Sequence, residues 1–193
     1  MNIDIDEILA QRRSFYPVQF SGEQIEDGVI HKLLQSANWA PTHKYTEPWR
    51  FKVFSAKGLN RLIDFQLDYY LKHTPREEQK DSKIARIKER KNQISHSIAI
   101  VMLRDEQERV PEVEEICSVS CAVQNIYLSC LNKGIGGYWS TGAFAFSPET
   151  ADFLRLNENE KCLGFFQLGM LQENAKAVGR RGNYLEKIEF IEE

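Results

Sequence analysis

The sequence predicts an α+β domain with a central sheet and helices on its faces. Three observations carry that expectation. Residues 97–103 form an uninterrupted apolar run of strand length, as a strand buried on both faces requires. Apolar residues at helical spacing recur before and after that run, separated by further short strand-like segments. At 193 residues and 42% hydrophobic content, the chain can bury one sizeable core, so residues 1–193 read as a single domain.

The elements follow in order. Residues 3–13 read as a short helix with Ile5, Ile8 and Leu9 inward. Ser21 and Gln24 stand at capping-box spacing, and Ile25, Val29, Ile30, Leu33, Leu34 and Ala37 then recur at helical intervals to about Trp39. Pro41 and Pro48 bracket a polar segment that cannot continue that helix, and residues 50–55 follow as a strand. Residues 59–71 and 77–93 are helical, with a break at Pro75. Residues 113–133 carry the strongest helical pattern, and Gly134 is placed to end it in a left-handed cap. A strand near residues 138–140, a helix from Pro148 and a strand over residues 162–171 complete the domain. The tail, residues 178–193, alternates like a strand from Tyr184 to Phe190; it either packs on its own domain or adds to a partner's sheet.

Composition excludes several classes. The formal charge of −3 is nearly balanced, and the cationic run at residues 83–91 is broken by Ile84, Ala85, Ile87 and Glu89, which is the solvated face of a helix; no nucleic-acid partner is expected. No run of about 18 apolar residues is present to span a membrane. Asp4, Asp6 and Glu7 stand where a signal peptide needs basic and then apolar residues, so a cytoplasmic protein is expected. Cys117, Cys121, Cys130 and Cys162 fall in helical and strand patterns without a Cys-x-x-Cys pair or a His at ligand spacing, and read as small core residues with no metal. Neither G-x-S-x-G nor H-E-x-x-H occurs.

Three segments point to chemistry. The first is Ala40-Pro41-Thr42-His43-Lys44-Tyr45-Thr46-Glu47-Pro48-Trp49-Arg50-Phe51, a polar loop that gains little core and so reads as presenting groups to a ligand. The second is Arg12-Arg13-Ser14, where a helix ends. Guanidinium forks match phosphate oxygens, though on residue type alone the two arginines are also ordinary C-terminal helix cations. The third is Gly134-Ile135-Gly136-Gly137-Tyr138-Trp139-Ser140-Thr141-Gly142, whose glycines permit close backbone approach.

In this order and spacing the three segments resemble the FMN-dependent nitroreductase family, and most closely its short branch with His and Lys inside the loop. The resemblance implies a mostly antiparallel, flavin-binding α+β fold that assembles as a homodimer with its sites at the subunit interface. It implies FMN as cofactor, held by Arg12, Arg13 and Ser14 at the phosphate and by Trp139, Ser140 and Thr141 as a backbone wall. His43 and Glu47 would contact the flavin bound mainly by the other subunit. The family usually has Gln at the position of Glu47, which can donate as well as accept, and often Arg at that of Ser140. Ser129, Cys130, Leu131, Asn132, Lys133 and Gly134 would contact the nicotinamide of NADH or NADPH, with plain helix termination as the bare reading. The implied activity passes electrons from NAD(P)H to a nitroaromatic, a quinone or a similar flat small molecule in a ping-pong cycle, with no side chain acting as acid or base. Dehydrogenation, dehalogenation and non-catalytic FMN storage are the alternatives on the same fold.

Overall fold

A computed structural model describes residues 4–131 and 133–192; Ile3, Asn132 and Glu193 lie outside the described residues. Six helices and four strands run in the order α1 (Ile5–Gln11), α2 (Asp27–Ala37), β1 (Trp49–Ser55), α3 (Ala56–His73), α4 (Asp81–Gln93), β2 (His96–Leu103), α5 (Glu112–Cys130), β3 (Ile135–Ser140), α6 (Pro148–Leu154) and β4 (Glu160–Met170). The strands form one sheet in the order β1-β2-β4-β3, and each pairing is antiparallel.

Strand alternation divides the core. Ile98, Ile100 and Met102 of β2, with Phe166 and Leu168 of β4, pack beneath α2 and α5. Ala99, Val101 and Phe165 point the other way, toward α3 and α6. Helices therefore cover both faces, which is why β2 is apolar along almost its full length.

A cross-strand pair of glycines shapes the outer end of the sheet. Gly136 of β3 lies opposite Gly169 of β4, leaving a trough where two side chains would otherwise stand. The Phe20 ring fills it: a Cβ at Gly169 would lie 2.5 Å from that ring, and one at Gly136 would lie 2.6 Å from it and 2.9 Å from Phe15 Cβ. The backbone N–H of Phe15 donates to the carbonyl of Gly137 at 3.0 Å. Residues 14–20 are thereby laid along the β3 edge, which fixes the Arg12-Arg13-Ser14 turn against the sheet.

A bulge acts on the same strand. The register of β2 on β4 shifts between Ile100, opposite Gly164, and Val101, opposite Cys162, so Leu163 is the extra residue. Its carbonyl accepts the indole N–H of Trp139 at 3.1 Å. Gly164 takes φ +128° there, and a Cβ would meet the indole nitrogen at 2.5 Å.

Four expectations need correction. Helix α1 buries none of its residues: Ile5 and Leu9 are 58% and 48% exposed, because the helix lies outside the sheet layers. Ser21 does not cap α2; its Oγ accepts the N–H of Glu23 at 3.2 Å in a preceding turn, and the helix begins at Asp27. Gly134 does not cap α5, which ends at Cys130 with Leu131 in an extended conformation; at φ +65° it turns the chain into β3, and its carbonyl accepts the N–H of Leu171 at 2.8 Å. The strand-like alternation of the tail forms no strand among the described residues: Tyr184–Lys187 is a 3₁₀ turn, and Phe190 is 82% exposed. Among the described residues no helix is long and apolar enough to cross a membrane.

Candidate active site

Beyond α1 the chain bends away, and its two arginines take different work. Arg13 Nη1 donates to the carbonyls of Ala10, at 2.5 Å, and Arg12, at 2.8 Å, so it completes the C-terminus of the helix. The Arg12 guanidinium instead lies over the Tyr127 ring, 4.9 Å from its centroid. The Ser14 and Tyr127 hydroxyls are 3.2 Å apart, and Tyr127 also accepts the backbone N–H of Trp139 at 2.9 Å. One tyrosine on α5 thus joins the Arg12-Arg13-Ser14 turn to the Trp139-Ser140-Thr141 segment.

The turn forms one wall of a cavity of about 450 Å³. The opposite wall comes from the start of the tail, and four cations line the space: Arg12, Arg13, Lys176 and Arg181. No carboxylate is among the described residues that line it. The tail is held by Gln19, whose Nε2 donates to the Lys176 carbonyl at 2.9 Å, and by Gly179, where a Cβ would lie 2.3 Å from the Arg13 guanidinium. Of the late arginine pair, Arg181 lines this cavity and Arg180 does not.

Tyr16 belongs both to this cavity and to a larger one of about 590 Å³. There Tyr16 and Tyr138 stand with ring centroids 4.7 Å apart, facing Arg86 and Arg90 of α4. Arg90 Nη1 donates to Gln66 Oε1 at 2.7 Å. Burial, with the like charge of Arg86 beside it, holds the Arg90 guanidinium below the usual arginine pKa. Glu89 lines the same space.

The remaining expected residues are distributed as follows. Trp139 turns its indole inward to Leu163, and its N–H is committed to Tyr127, so the ligand-facing part of this wall is half-buried Ser140 and exposed Thr141. In the helix-end segment, Cys130 faces the core, its thiol pushed up to about 12 by burial, and Lys133 Nζ donates to the Ser129 carbonyl. Leu131 is half-buried, Lys133 and Gly134 are exposed, and Asn132 is outside the described residues.

His43 and Glu47 are not brought to the cationic cavity of their own chain. His43 Nδ1 lies 2.7 Å from Glu114 Oε2, beside a separate cavity of about 340 Å³ lined by Thr42, Val113, Cys117 and Cys121. Glu114 and Tyr127 sit thirteen residues apart on α5, or about 20 Å along the axis. Glu47 is exposed and forms no ion pair among the described residues; Lys44 and Arg50 reach backbone carbonyls, of Arg109 and of Glu47 itself. Lys44, Tyr45 and Glu47 all adopt positive φ, a run of left-handed non-glycine residues that the Thr42 hydroxyl supports by accepting the Glu47 N–H at 3.1 Å.

The loop after β2 braces this region. Glu115, 1% exposed, accepts from Arg104 Nη1 at 2.5 Å and from the Asp105 N–H at 2.9 Å. The Arg109 side chain and backbone N–H hold the Asp105 carboxyl at about 2, below its ordinary 3.8. Since the folded value is the lower one, this pairing stabilises the fold above pH 3.8 and is lost as pH falls through 2. We expect Asp105→Asn to lower the melting temperature at neutral pH by an amount that shrinks as pH falls below 3.8 and is lost below about 2. A difference that stays constant with pH would contradict that assignment.

Sequence reasoning missed Tyr127, Lys176 and Arg90; nothing but fold neighbours marks them, apart from Tyr127, a polar-tipped ring on an otherwise apolar helical face. Tyr138 stood inside the glycine-rich segment but was given no role of its own.

One arrangement with the look of chemistry is structural. Ser95 Oγ lies 2.8 Å from His96 Nδ1, and His96 Nε2 lies 3.1 Å from Asp27. Ser95 is fully buried and accepts the Ile25 N–H, so its hydroxyl is closed to a substrate.

Fold and site together define a small α+β protein with a cation-lined cavity adjoining one that two tyrosines line. Residues 9–170 match the model of the Nitroreductase family, and the chain belongs to that family. It is 30% identical over 168 residues to "Putative NAD(P)H nitroreductase YfhC" of Bacillus subtilis, covering 86% of this chain and 84% of the relative. It is 28% identical over 177 residues to "Putative NAD(P)H nitroreductase YdjA" of Escherichia coli K12, covering 90% and 91%. Among solved structures, a nitroreductase-like family protein from Bacillus cereus superposes with a TM-score of 0.86 at 24% identity, covering 100% of this chain and 98% of that one. A nitroreductase with bound FMN from Bacteroides fragilis superposes with a TM-score of 0.71 at 17% identity, covering 99% and 100%. The antiparallel α+β fold expected from the resemblance is therefore the fold observed.

Proposed function

We propose that the protein is an FMN-dependent oxidoreductase that passes electrons from NADH or NADPH to a nitroaromatic, a quinone or another flat small molecule. The observation that carries this reading is the pair of adjoining cavities. The first, with four cations and no carboxylate, suits a phosphate dianion; the second, with Tyr16 and Tyr138 in its wall and Arg90 at its edge, suits a flat ring. FMN joins those two groups by a short polar chain, and relatives bearing NAD(P)H nitroreductase names and an FMN-bound fold neighbour support it.

Arg12, Lys176 and Arg181 neutralise the phosphate, Arg13 holds the turn in shape, and Ser14 donates a hydroxyl. Ser140 and Thr141 offer backbone to the ring. When bound, FMN supplies the redox chemistry, taking a hydride from NAD(P)H and giving electrons to the acceptor. Arg90 opposes negative charge at the ring's edge and so favours the reduced state. Exposed backbone near Lys133 and Gly134 receives the nicotinamide. One open face serves donor and acceptor in turn, which makes the cycle ping-pong, and water supplies protons.

A second copy of the chain completes the site. His43 pairs with Glu114, about 20 Å along α5 from the Tyr127 end, and neither His43 nor Glu47 lines the cationic cavity of its own chain, so they act at a partner's. Trp39 and Tyr45, 84% and 88% exposed, are large side chains left open to such a contact. Sedimentation at twice 22.4 kDa is the expected result.

The deciding experiment is the visible spectrum of the purified protein before and after anaerobic NADH or NADPH. A flavin spectrum that bleaches supports the reading. A flavin that stays oxidised removes the reductase activity, and failure to take up added FMN removes the cofactor.

A further inference from the structure

Tyr127 lies on α5 and is outside every segment that relates this chain to a flavin site. It is 8% exposed, and its ring packs edge-to-face on Phe166 at 4.5 Å, so its position in the core is fixed. Three polar or charged groups of the proposed cofactor site converge on it: the Trp139 N–H, the Ser14 hydroxyl and the Arg12 guanidinium.

The hydrogen-bond inventory sets a direction. A backbone N–H can only donate, so the phenol oxygen accepts from Trp139 at 2.9 Å. The phenol has one proton, and the acceptor within reach is Ser14 Oγ at 3.2 Å. If Ser14 accepts that proton, its own proton remains for a third group. Ser14 lines the four-cation cavity, so that third group is whatever anion the cavity holds. Above the same ring, the π face receives Arg12 and keeps its guanidinium at the cavity wall instead of on the α1 carbonyls that occupy Arg13.

We propose that Tyr127 is the positioning residue of the phosphate end of the site: its hydroxyl polarises Ser14 so that the serine donates to the ligand's phosphate, while its ring seats Arg12. The idea rests on the FMN reading above. It goes beyond it in assigning discrimination between a phosphorylated and an unphosphorylated flavin to a residue that touches neither.

The test compares FMN with riboflavin, which has the same ring and no phosphate, by flavin fluorescence titration. In Tyr127→Phe, FMN affinity falls about tenfold, the worth of one hydrogen bond to a charged group, and riboflavin affinity is unchanged. Ser14→Ala gives a similar loss, Ser14→Thr retains the preference for FMN, and the double variant Tyr127→Phe, Ser14→Ala is no weaker than Ser14→Ala alone. Equal loss of both flavins in Tyr127→Phe, or independent additive losses in the double variant, overturns the proposal. Ser14 is on the surface side of the pair and its alanine variant does not disturb the core. An unchanged FMN-to-riboflavin ratio in Ser14→Ala therefore overturns the proposal even if Tyr127→Phe does not fold. A wild-type protein that binds both flavins equally removes the phosphate reading itself, a failure distinct from these.

Discussion

Replacing Arg12 and Lys176 together with alanine lowers FMN affinity by on the order of a hundredfold to ten-thousandfold, while riboflavin affinity changes little. The size follows from two charge-assisted contacts, each about 1.5–3 kcal/mol, removed from a cavity with no carboxylate among its described lining residues. The two side chains come from opposite walls, one from the turn after α1 and one from the tail, so neither can move to cover for the other. Added salt weakens wild-type FMN binding as well, since the cavity is open to solvent. Arg180→Ala is the matched control, a nearby cation that does not line the space, and it binds FMN as the wild type does. The assignment of the phosphate site fails if the double variant loses less than about threefold, or if Arg180→Ala loses as much.

The second large effect is on the glycine trough. Gly136→Val puts a branched side chain where a single Cβ already falls 2.6 Å from both Phe20 and Leu171. All three are packed against buried neighbours, so the strain is relieved by lifting residues 15–20 off β3. We expect a loss of about 1–3 kcal/mol in stability, as overpacking typically costs, and a fall in FMN affinity larger than that of riboflavin, since the displaced segment continues directly from the turn that carries Arg12 and Ser14. Chemical denaturation and flavin titration measure the two effects separately. Unchanged stability would mean that Phe20 can move aside without cost, and the trough would not be what positions the turn.

Much of the fold was legible because its signals are local. The apolar run of β2 is buried on both sides, and the helical spacing of α5 survives its small residues. What could not be read locally was which way short elements face. Ile5 and Leu9 have the spacing of a buried stripe, and only the absence of a described layer above α1 leaves them exposed. The tail from Tyr184 alternates like a strand, and pairing, which alternation cannot specify, decides the outcome.

The site divides in the same way. Arg12, Ser14 and the Trp139-Ser140-Thr141 segment were legible as motifs and do lie side by side, whereas Arg13 is absorbed by its own helix end. Tyr127 and Lys176 were not legible, because each matters through a neighbour more than a hundred positions away in one case and across a cavity in the other. His43 was singled out as a polar loop residue, but its separation from the cationic cavity of its own chain is a property of α5's length, which no motif records.

The late wall of the cationic cavity has a consequence for proteolysis. The last strand of the sheet is finished at Met170, yet Lys176 and Arg181 follow it and lie beyond the residues that match the family model. The four strands thus draw on no residue after Met170, whereas two of the four cations of the proposed phosphate site do. A protein clipped between Met170 and Lys176 would keep its strands and lose its grip on phosphate, so retained flavin reports on an intact tail as much as on a folded core.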